Sequence, residues 1–300
     1  QQVIAAIGLL DEGSTVPFVA RYRKEVTGGL DDTQLRTLEQ RLTYLRELDE
    51  RRDVILKSID EQDKLTDSLR ASIMAADTKT RLEDLYLPYK QKRRTKAQIA
   101  REAGIEPLAA ALLENPTLTP EDAAAPYLNE EQGFADAKAV LDGARQILME
   151  KFAEDADLLE QARRYLQDHG VLASNVAPGK EQEGAKFSDY FEYSEALSKI
   201  PSHRALALFR GRSESVLQLH LRVANEETFE RHPCETMVAK RFNVENLSRP
   251  ADAWLLDTVH LAWRAKIFLH LELELKMNLK SAADEEAIRV FATNLSDLLL

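Results

Sequence analysis

Lys90, Lys92, Arg93, Arg94, Lys96 and Arg101 fall in one short stretch, and from Tyr86 to Arg101 no acidic residue interrupts them. Ammonium and guanidinium groups at this density neutralise phosphates, displacing the counterions that a nucleic-acid backbone holds around it. The stretch stands out because the rest of the chain is acidic. The formal net charge is −11, and without these six cations it falls to −17. Two readings follow: the six residues contact nucleic acid from a loop, or they dock on an acidic surface of a neighbouring domain of the same protein. Arg21, Arg23 and Lys24 are also close together, but at helical spacing they read as a solvated face.

Other chemistry finds less support. His232-Pro233-Cys234 puts a thiol near an imidazole, yet residues two apart across a proline do not face each other and no third group orients them. His270 and Glu274 lie one helical turn apart, the spacing of a metal pair, without a third ligand of matching spacing. No glycine-rich loop suited to cradling a phosphate occurs. The expectation is therefore no catalytic residue, no metal, no cofactor and no enzymatic activity.

The elements that must hold the basic stretch are helices. Thr95 caps a helix, Ala100 is small enough for two helices to cross, and Gly104 makes the turn into Glu106 to Leu113, the pattern of a helix-turn-helix. Its second helix carries none of the Arg, Lys, Asn, Gln, Ser or Thr side chains that read base edges, so the pair is expected to be a folding unit. Upstream, Val3, Ile4, Ile7 and Leu10 predict a helix stopped at Gly13. Phe18, Val19 and Tyr22 predict a short helix facing the core, and Asp31 opens a long helix reaching about Gln62. Within it, Glu47 with Arg51 and Asp53 with Lys57 are expected as ion pairs. Leu65 to Ala76 and Thr80 to Leu87 read as two more helices.

Downstream, helices are expected from about Phe134 to Ala153, from Asp155 to His169, and from Ser202 to near Gly211. Residues 179–186 read as an exposed polar loop. Phe187, Tyr190, Phe191 and Tyr193 read either as a small core or as a surface that stacks on bases. Leu217 to Val223 alternates apolar and polar residues, the clearest strand signal. Pro250 to Lys276 predicts a helix buried nearly all round. Leu269 to Lys280 also alternates, but Leu, Glu, Lys and Met favour helix there. Ser281 is placed to cap a separate last helix reaching about Leu298.

The 300 residues are 44% hydrophobic and 30% charged, with 11 glycines and 10 prolines. That composition predicts a globular, all-α chain, mainly helical and multi-helix, with at most one or two short strands. A negative net charge excludes a protein that coats nucleic acid or anionic membrane with its whole surface. The lone Cys234 excludes an internal disulfide and fits a reducing compartment, so a cytoplasmic location is expected. No run is long and uncharged enough to span a membrane. An apolar pattern at Gln1 and the final Leu298-Leu299-Leu300 read as cuts from a longer protein.

Three runs carry a family resemblance: residues 16–52 (VPFVARYRKEVTGGLDDTQLRTLEQRLTYLRELDERR), 80–109 (TRLEDLYLPYKQKRRTKAQIAREAGIEPLA) and 187–211 (FSDYFEYSEALSKIPSHRALALFRG). In this order they resemble the N-terminal region of bacterial Tex, the transcription accessory protein family. The resemblance implies continuation into an RNase-H-like domain, helix-hairpin-helix units and a C-terminal OB-fold that binds RNA, a layout shared with a eukaryotic transcription elongation factor. It also implies nucleic acid and RNA polymerase as partners. Four segments are expected: 1–77, an N-terminal helical segment with the long helix; 78–125, the basic loop and helix-turn-helix-like unit; 126–225, a helical middle region with the aromatic cluster and a short strand; and 226–300, long buried helices leading to the downstream RNase-H-like domain. The functional expectation is a non-catalytic scaffold with weak nucleic-acid contact that is indifferent to sequence. The alternative is a docking region of a larger enzyme whose active site lies downstream of residue 300.

Overall fold

A computed structural model describes residues 1–223 and 229–299. The fold is mainly helical and divides into two compact units, Gln1–Lys90 and Gln91–Leu300. The division falls inside the basic stretch. The expected boundary between residues 225 and 226 lies outside the described residues.

The first unit holds α1 (Gln2–Asp11), α2 (Val16–Tyr22), α3 (Lys24–Thr27), α4 (Asp32–Asp60), α5 (Asp67–Ala75) and α6 (Lys79–Tyr86). Asp31 closes a capping box at the start of α4, accepting from the Gln34 N–H at 2.8 Å while Gln34 accepts from the Asp31 N–H at 3.1 Å. Each bond satisfies a backbone donor that the first helical turn leaves unpaired. One core gathers Ala6, Val16, Val19, Ala20 and Leu35, and another gathers Leu48, Ile55, Ile59, Ile73 and Leu82. Two expectations fail here. Phe18 and Tyr22 are 40% and 63% exposed, because α2 is too short to bury more than the one face that carries Val19. The expected Glu47–Arg51 pair gives way to pairs across helices, Glu47 bonding Lys79 and Arg51 bonding Glu83 at 2.5 Å, while Lys57 takes Glu61 at 4.0 Å, one turn on along the same helix, in place of Asp53. A partner on a neighbouring helix ties two elements together, which a pair along one helix does not.

The second unit begins with α7 (Lys96–Glu102), α8 (Glu106–Glu114) and α9 (Pro120–Ala124), packed around α10 (Ala137–Ala153), which is followed by α11 (Ala156–His169). Asp136 and Asp155 cap α10 and α11, accepting from Ala139 and Leu158 N–H groups at 2.7 and 2.8 Å. A three-stranded antiparallel sheet follows, β1 (Gly170–Val176), β2 (Glu192–Ala196) and β3 (Leu217–Val223), in the order β2-β1-β3. The alternation in β3 is realised residue by residue, Leu217, Leu219, Leu221 and Val223 being buried and Gln218, His220 and Arg222 exposed. The sequence pattern marks only this strand; β1 pairs it from Gly170↔Val223 to Val176↔Leu217. Of the aromatic cluster, Phe187 is buried while Tyr190, Phe191 and Tyr193 are half-buried, so these rings belong to the packing around the sheet.

The unit closes with α12 (Ser202–Ser213), α13 (Pro233–Arg241), α14 (Asp252–Ala262), a π-helical turn at Trp263–Ile267 and α15 (Phe268–Leu299). Two expectations are corrected here. The helix does not restart at Ser281: α15 runs through it, since a capping residue ends a helix only where the backbone also turns away. Nor is this stretch buried all round, for Leu269, Leu273 and Met277 share an exposed face. The strip of the helix beside that face holds the free edge of the sheet. Glu272 accepts from the Leu221 N–H at 3.1 Å, and Lys276, itself buried, donates to the Leu219 carbonyl at 2.6 Å and to Glu272 at 2.7 Å. An edge strand otherwise offers these groups to any passing strand, and here one ion pair occupies them.

Candidate nucleic-acid interface

The basic stretch leaves α6 through a 3₁₀ turn at Leu87–Tyr89, runs irregularly from 91 to 95, and enters α7. Lys90 ends the first unit and the other five cations belong to the second. Thr95 fixes the entry into α7: its Oγ1 accepts from the Gln98 N–H at 3.0 Å and donates to Glu150 at 3.2 Å.

The structure sorts the six cations into two sets of three. Arg101 donates from Nη1 to Glu150 at 2.6 Å and from Nε to Glu106 at 3.2 Å. Glu150 is buried, which alone would push its carboxyl up; the Arg101 hydrogen bond and the charges of Lys92 and Arg101 outweigh this and hold it below the usual range. Lys92 pairs with Glu154, one turn further along α10, where burial wins and leaves that carboxyl raised despite the ammonium beside it. Arg94 chelates Glu102, at 3.0 Å from Nε and 2.5 Å from Nη2, and this hydrogen bond lowers the Glu102 carboxyl. Lys92, Arg94 and Arg101 are thus neutralised by carboxylates of the same unit. Lys90, Arg93 and Lys96 are exposed, and none makes an ion pair or side-chain hydrogen bond among the described residues.

The sequence reading singled out all six and missed the acids that claim three of them. Glu150 and Glu154 are one turn apart at the end of α10, a spacing visible in the sequence, but nothing local ties them to residues 49 and 62 positions away. The helix pair α7 and α8 has the expected form, with Gly104 at a left-handed φ of 79° between the helices and Ala100 fully buried. Leu108, Ala109 and Leu112 of α8 are buried within the unit, and Glu106 is held by Arg101.

The remaining reactive groups are engaged elsewhere. His232 Nδ1 accepts from the Cys234 N–H at 3.1 Å and caps α13. Glu274 receives a two-point bond from Arg163, at 2.7 and 3.0 Å, with His270 at 3.8 Å. Cys234 is buried, and burial with the neighbouring Glu235 charge pushes its thiol up to about 12. Since the thiolate is the nucleophile, native protein is expected to leave a disulfide reagent unreacted at pH 8 and to react fully in denaturant. Reaction of the folded chain at the rate of a free thiol would contradict this.

No helix among the described residues is long and apolar enough to cross a membrane. A family profile described as Tex-like protein N-terminal domain matches residues 1–60, and one described as Tex central region-like matches residues 115–291. The basic stretch lies between the two matched segments. The chain is 58% identical over 304 residues to Protein YhgF of Escherichia coli, and 58% identical over 301 residues to Transcriptional accessory protein Tex of Neisseria gonorrhoeae. Both alignments cover all of this chain and 39% of the relative, so the chain spans well under half the length of these proteins. The human S1 RNA-binding domain-containing protein 1 is 29% identical over 305 residues, across 98% of this chain and 30% of that protein. With a profile matched over more than half its length, the chain belongs to the Tex family.

Proposed function

We propose that this chain is the non-catalytic helical scaffold of a Tex-like transcription accessory protein, and that it supports association with nucleic acid through Lys90, Arg93 and Lys96. One observation carries the reading: these three cations are exposed and without a carboxylate among the described residues, while Lys92, Arg94 and Arg101 are neutralised from within. Contacts of this kind go to phosphates, so they position a strand without reading it. RNA and DNA are both suitable, and the α7–α8 pair adds no base readout because its second helix is buried on one face and acidic at both ends. The names of the relatives, transcriptional accessory protein and S1 RNA-binding domain-containing protein, support a role with nucleic acid in transcription, and association with RNA polymerase is part of the proposal.

Fluorescence anisotropy with single-stranded RNAs of unrelated sequence tests this. The wild-type chain is expected to bind them equally and weakly, and K90A/R93A/K96A to bind at least about tenfold less tightly at low salt, each lost phosphate contact contributing to the electrostatic part of the affinity. Equal binding by that variant would remove the proposed contact residues. A second reading, docking onto further domains of a larger enzyme, draws on the exposed apolar face of α15 at Leu269, Leu273 and Met277. It predicts that the triple variant keeps its nucleic-acid affinity, and that L273E/M277E weakens attachment in the longer protein.

A further inference from the structure

A cavity of about 630 Å³ opens in the second unit, on the exposed side of β3 where α14 passes through its π turn into α15. Its size is that of a small-molecule site. His220 and Arg222 enter it from β3, two residues apart on the same face and so separated by roughly 7 Å. Arg231 comes from the segment before α13, and Arg264 from the π turn.

The acids in the wall are largely spoken for. Glu235 bonds His260 Nδ1 at 2.9 Å, and Glu272 is bonded to Lys276 and to the β3 backbone. Arg222, Arg231 and Arg264 are exposed and make no ion pair or side-chain hydrogen bond among the described residues, and of the described acids in the wall the exposed Glu230 is the one with no such bond of its own. Elsewhere the chain pairs its arginines repeatedly: Arg51, Arg94, Arg101, Arg204 and Arg241 are all bonded to carboxylates. Other arginines, Arg93 among them, are unpaired among the described residues too; what distinguishes Arg222, Arg231 and Arg264 is that all three line one cavity.

The other half of the wall is apolar and aromatic. Phe229 and Leu269 are exposed at the cavity, while Trp263 lies behind them, stacked on His232 at 4.8 Å and tilted against Phe268 at 5.5 Å. The π turn that carries Trp263 and Arg264 is a costlier backbone than continuous α-helix, and such turns occur most often where a site needs side chains re-aimed. Planar guanidinium forks match phosphate oxygens two at a time, and an apolar aromatic wall beside them suits a planar ring.

We infer that this cavity binds a nucleoside phosphate, its phosphate held by Arg222, Arg231 and Arg264 and its base against Phe229 and Leu269. The source is either a free nucleotide or the terminal nucleotide of a strand. The site is separate from Lys90, Arg93 and Lys96, and does not depend on them.

The chain has two tryptophans, Trp254 and Trp263, so W254F leaves Trp263 in the cavity wall as the sole tryptophan, excited selectively over the tyrosines at the red edge of the absorption band. Titration of this variant with AMP, UMP, a 5′-phosphorylated single-stranded RNA, inorganic phosphate and a polyglutamate peptide reads the site directly. Saturable change with a mononucleotide supports a free nucleotide. Saturable change with the oligonucleotide and not the mononucleotides supports a strand end. In either case R222Q/R264Q, which alters exposed side chains and leaves the circular dichroism unchanged, is expected to weaken binding at least tenfold, while K90A/R93A/K96A leaves the Trp263 response intact. No response to any nucleotide at millimolar concentration, a response to polyglutamate alone, a response to inorganic phosphate alone, or unchanged affinity in R222Q/R264Q would overturn the inference. Loss of the response in K90A/R93A/K96A would also overturn it, by assigning binding to the basic loop.

Discussion

Gly170→Ala is expected to destabilise the second unit by about 3 kcal/mol, at the upper end of what an inserted methyl costs in a packed site. Gly170 lies where α11 meets β1 with φ −71° and ψ 147°, backbone angles any residue adopts, so conformational freedom is not what requires glycine here. A Cβ at this position would stand 2.2 Å from the Leu166 carbonyl oxygen and 3.2 Å from Leu221 Cδ1. The first obstacle is backbone, held in place as the acceptor of the Gly170 N–H that caps α11, and it has no rotamer in which to yield. Relief requires moving the end of α11 or the start of β1, and β1 sets the register of β3 with His220 and Arg222. Urea unfolding followed by circular dichroism measures the loss. A variant within about 0.5 kcal/mol of the parent would mean that this junction is far softer than the packing implies.

Arg101→Ala is expected to cost about 2 to 3 kcal/mol, somewhat below the roughly 3 to 5 typical of breaking a fully buried pair because Arg101 itself is partly exposed. Most of the loss comes from what remains: Glu150, buried, keeps only the Thr95 hydroxyl and the charge of Lys92. The pH dependence gives a second signature. A carboxyl held lower in the folded state than in the unfolded state contributes stability above its unfolded pKa, and that contribution disappears as pH falls through the folded value. Glu150 acts in this sense, Glu154 in the opposite one, since its raised pKa makes the folded state take up a proton first and favours folding as pH falls. Removing Arg101 takes away the main cause of the Glu150 depression, so the stability of the variant is expected to fall less steeply than the parent's below pH 4. E150Q, which removes the charge together with its titration, is expected to recover part of the loss in the R101A background. Additive losses in that double variant would show that the two side chains do not act as a pair.

Much of the fold was legible because its signals are local. The helix start at Asp31, the Thr95 cap and the Gly104 turn each depend on residues within four positions, and each is found where the sequence places it. The strand β3 was legible because one face is buried and the other is not. Its neighbours were not: β1 is buried at Leu172, Ala173 and Ser174 in succession and β2 is short and half-exposed, so neither alternates. The continuity of α15 through Ser281 was hidden for the converse reason, a strong local cap signal overruled by the surrounding helix. At the basic stretch, residue types could show where cations gather but not which are already paired. Arg101 with Glu150 and Lys92 with Glu154 are brought together by the packing of α7 against α10, a tertiary event without a local trace.

That sorting of the cations is the central claim, and the salt dependence of RNA binding tests it most directly. Each phosphate neutralised on a single strand contributes about 0.7 to the slope of log K against log salt, so three free cations predict a slope of about −2. For RNA with a 5′-hydroxyl end, which offers the cavity no terminal phosphate, the account predicts that K90A/R93A/K96A brings the slope close to zero, and that R94A, which removes a cation already bonded to Glu102 at the surface, leaves it at about −2. A triple variant that keeps the parental slope, or an R94A variant that loses as much as the triple one, would contradict it.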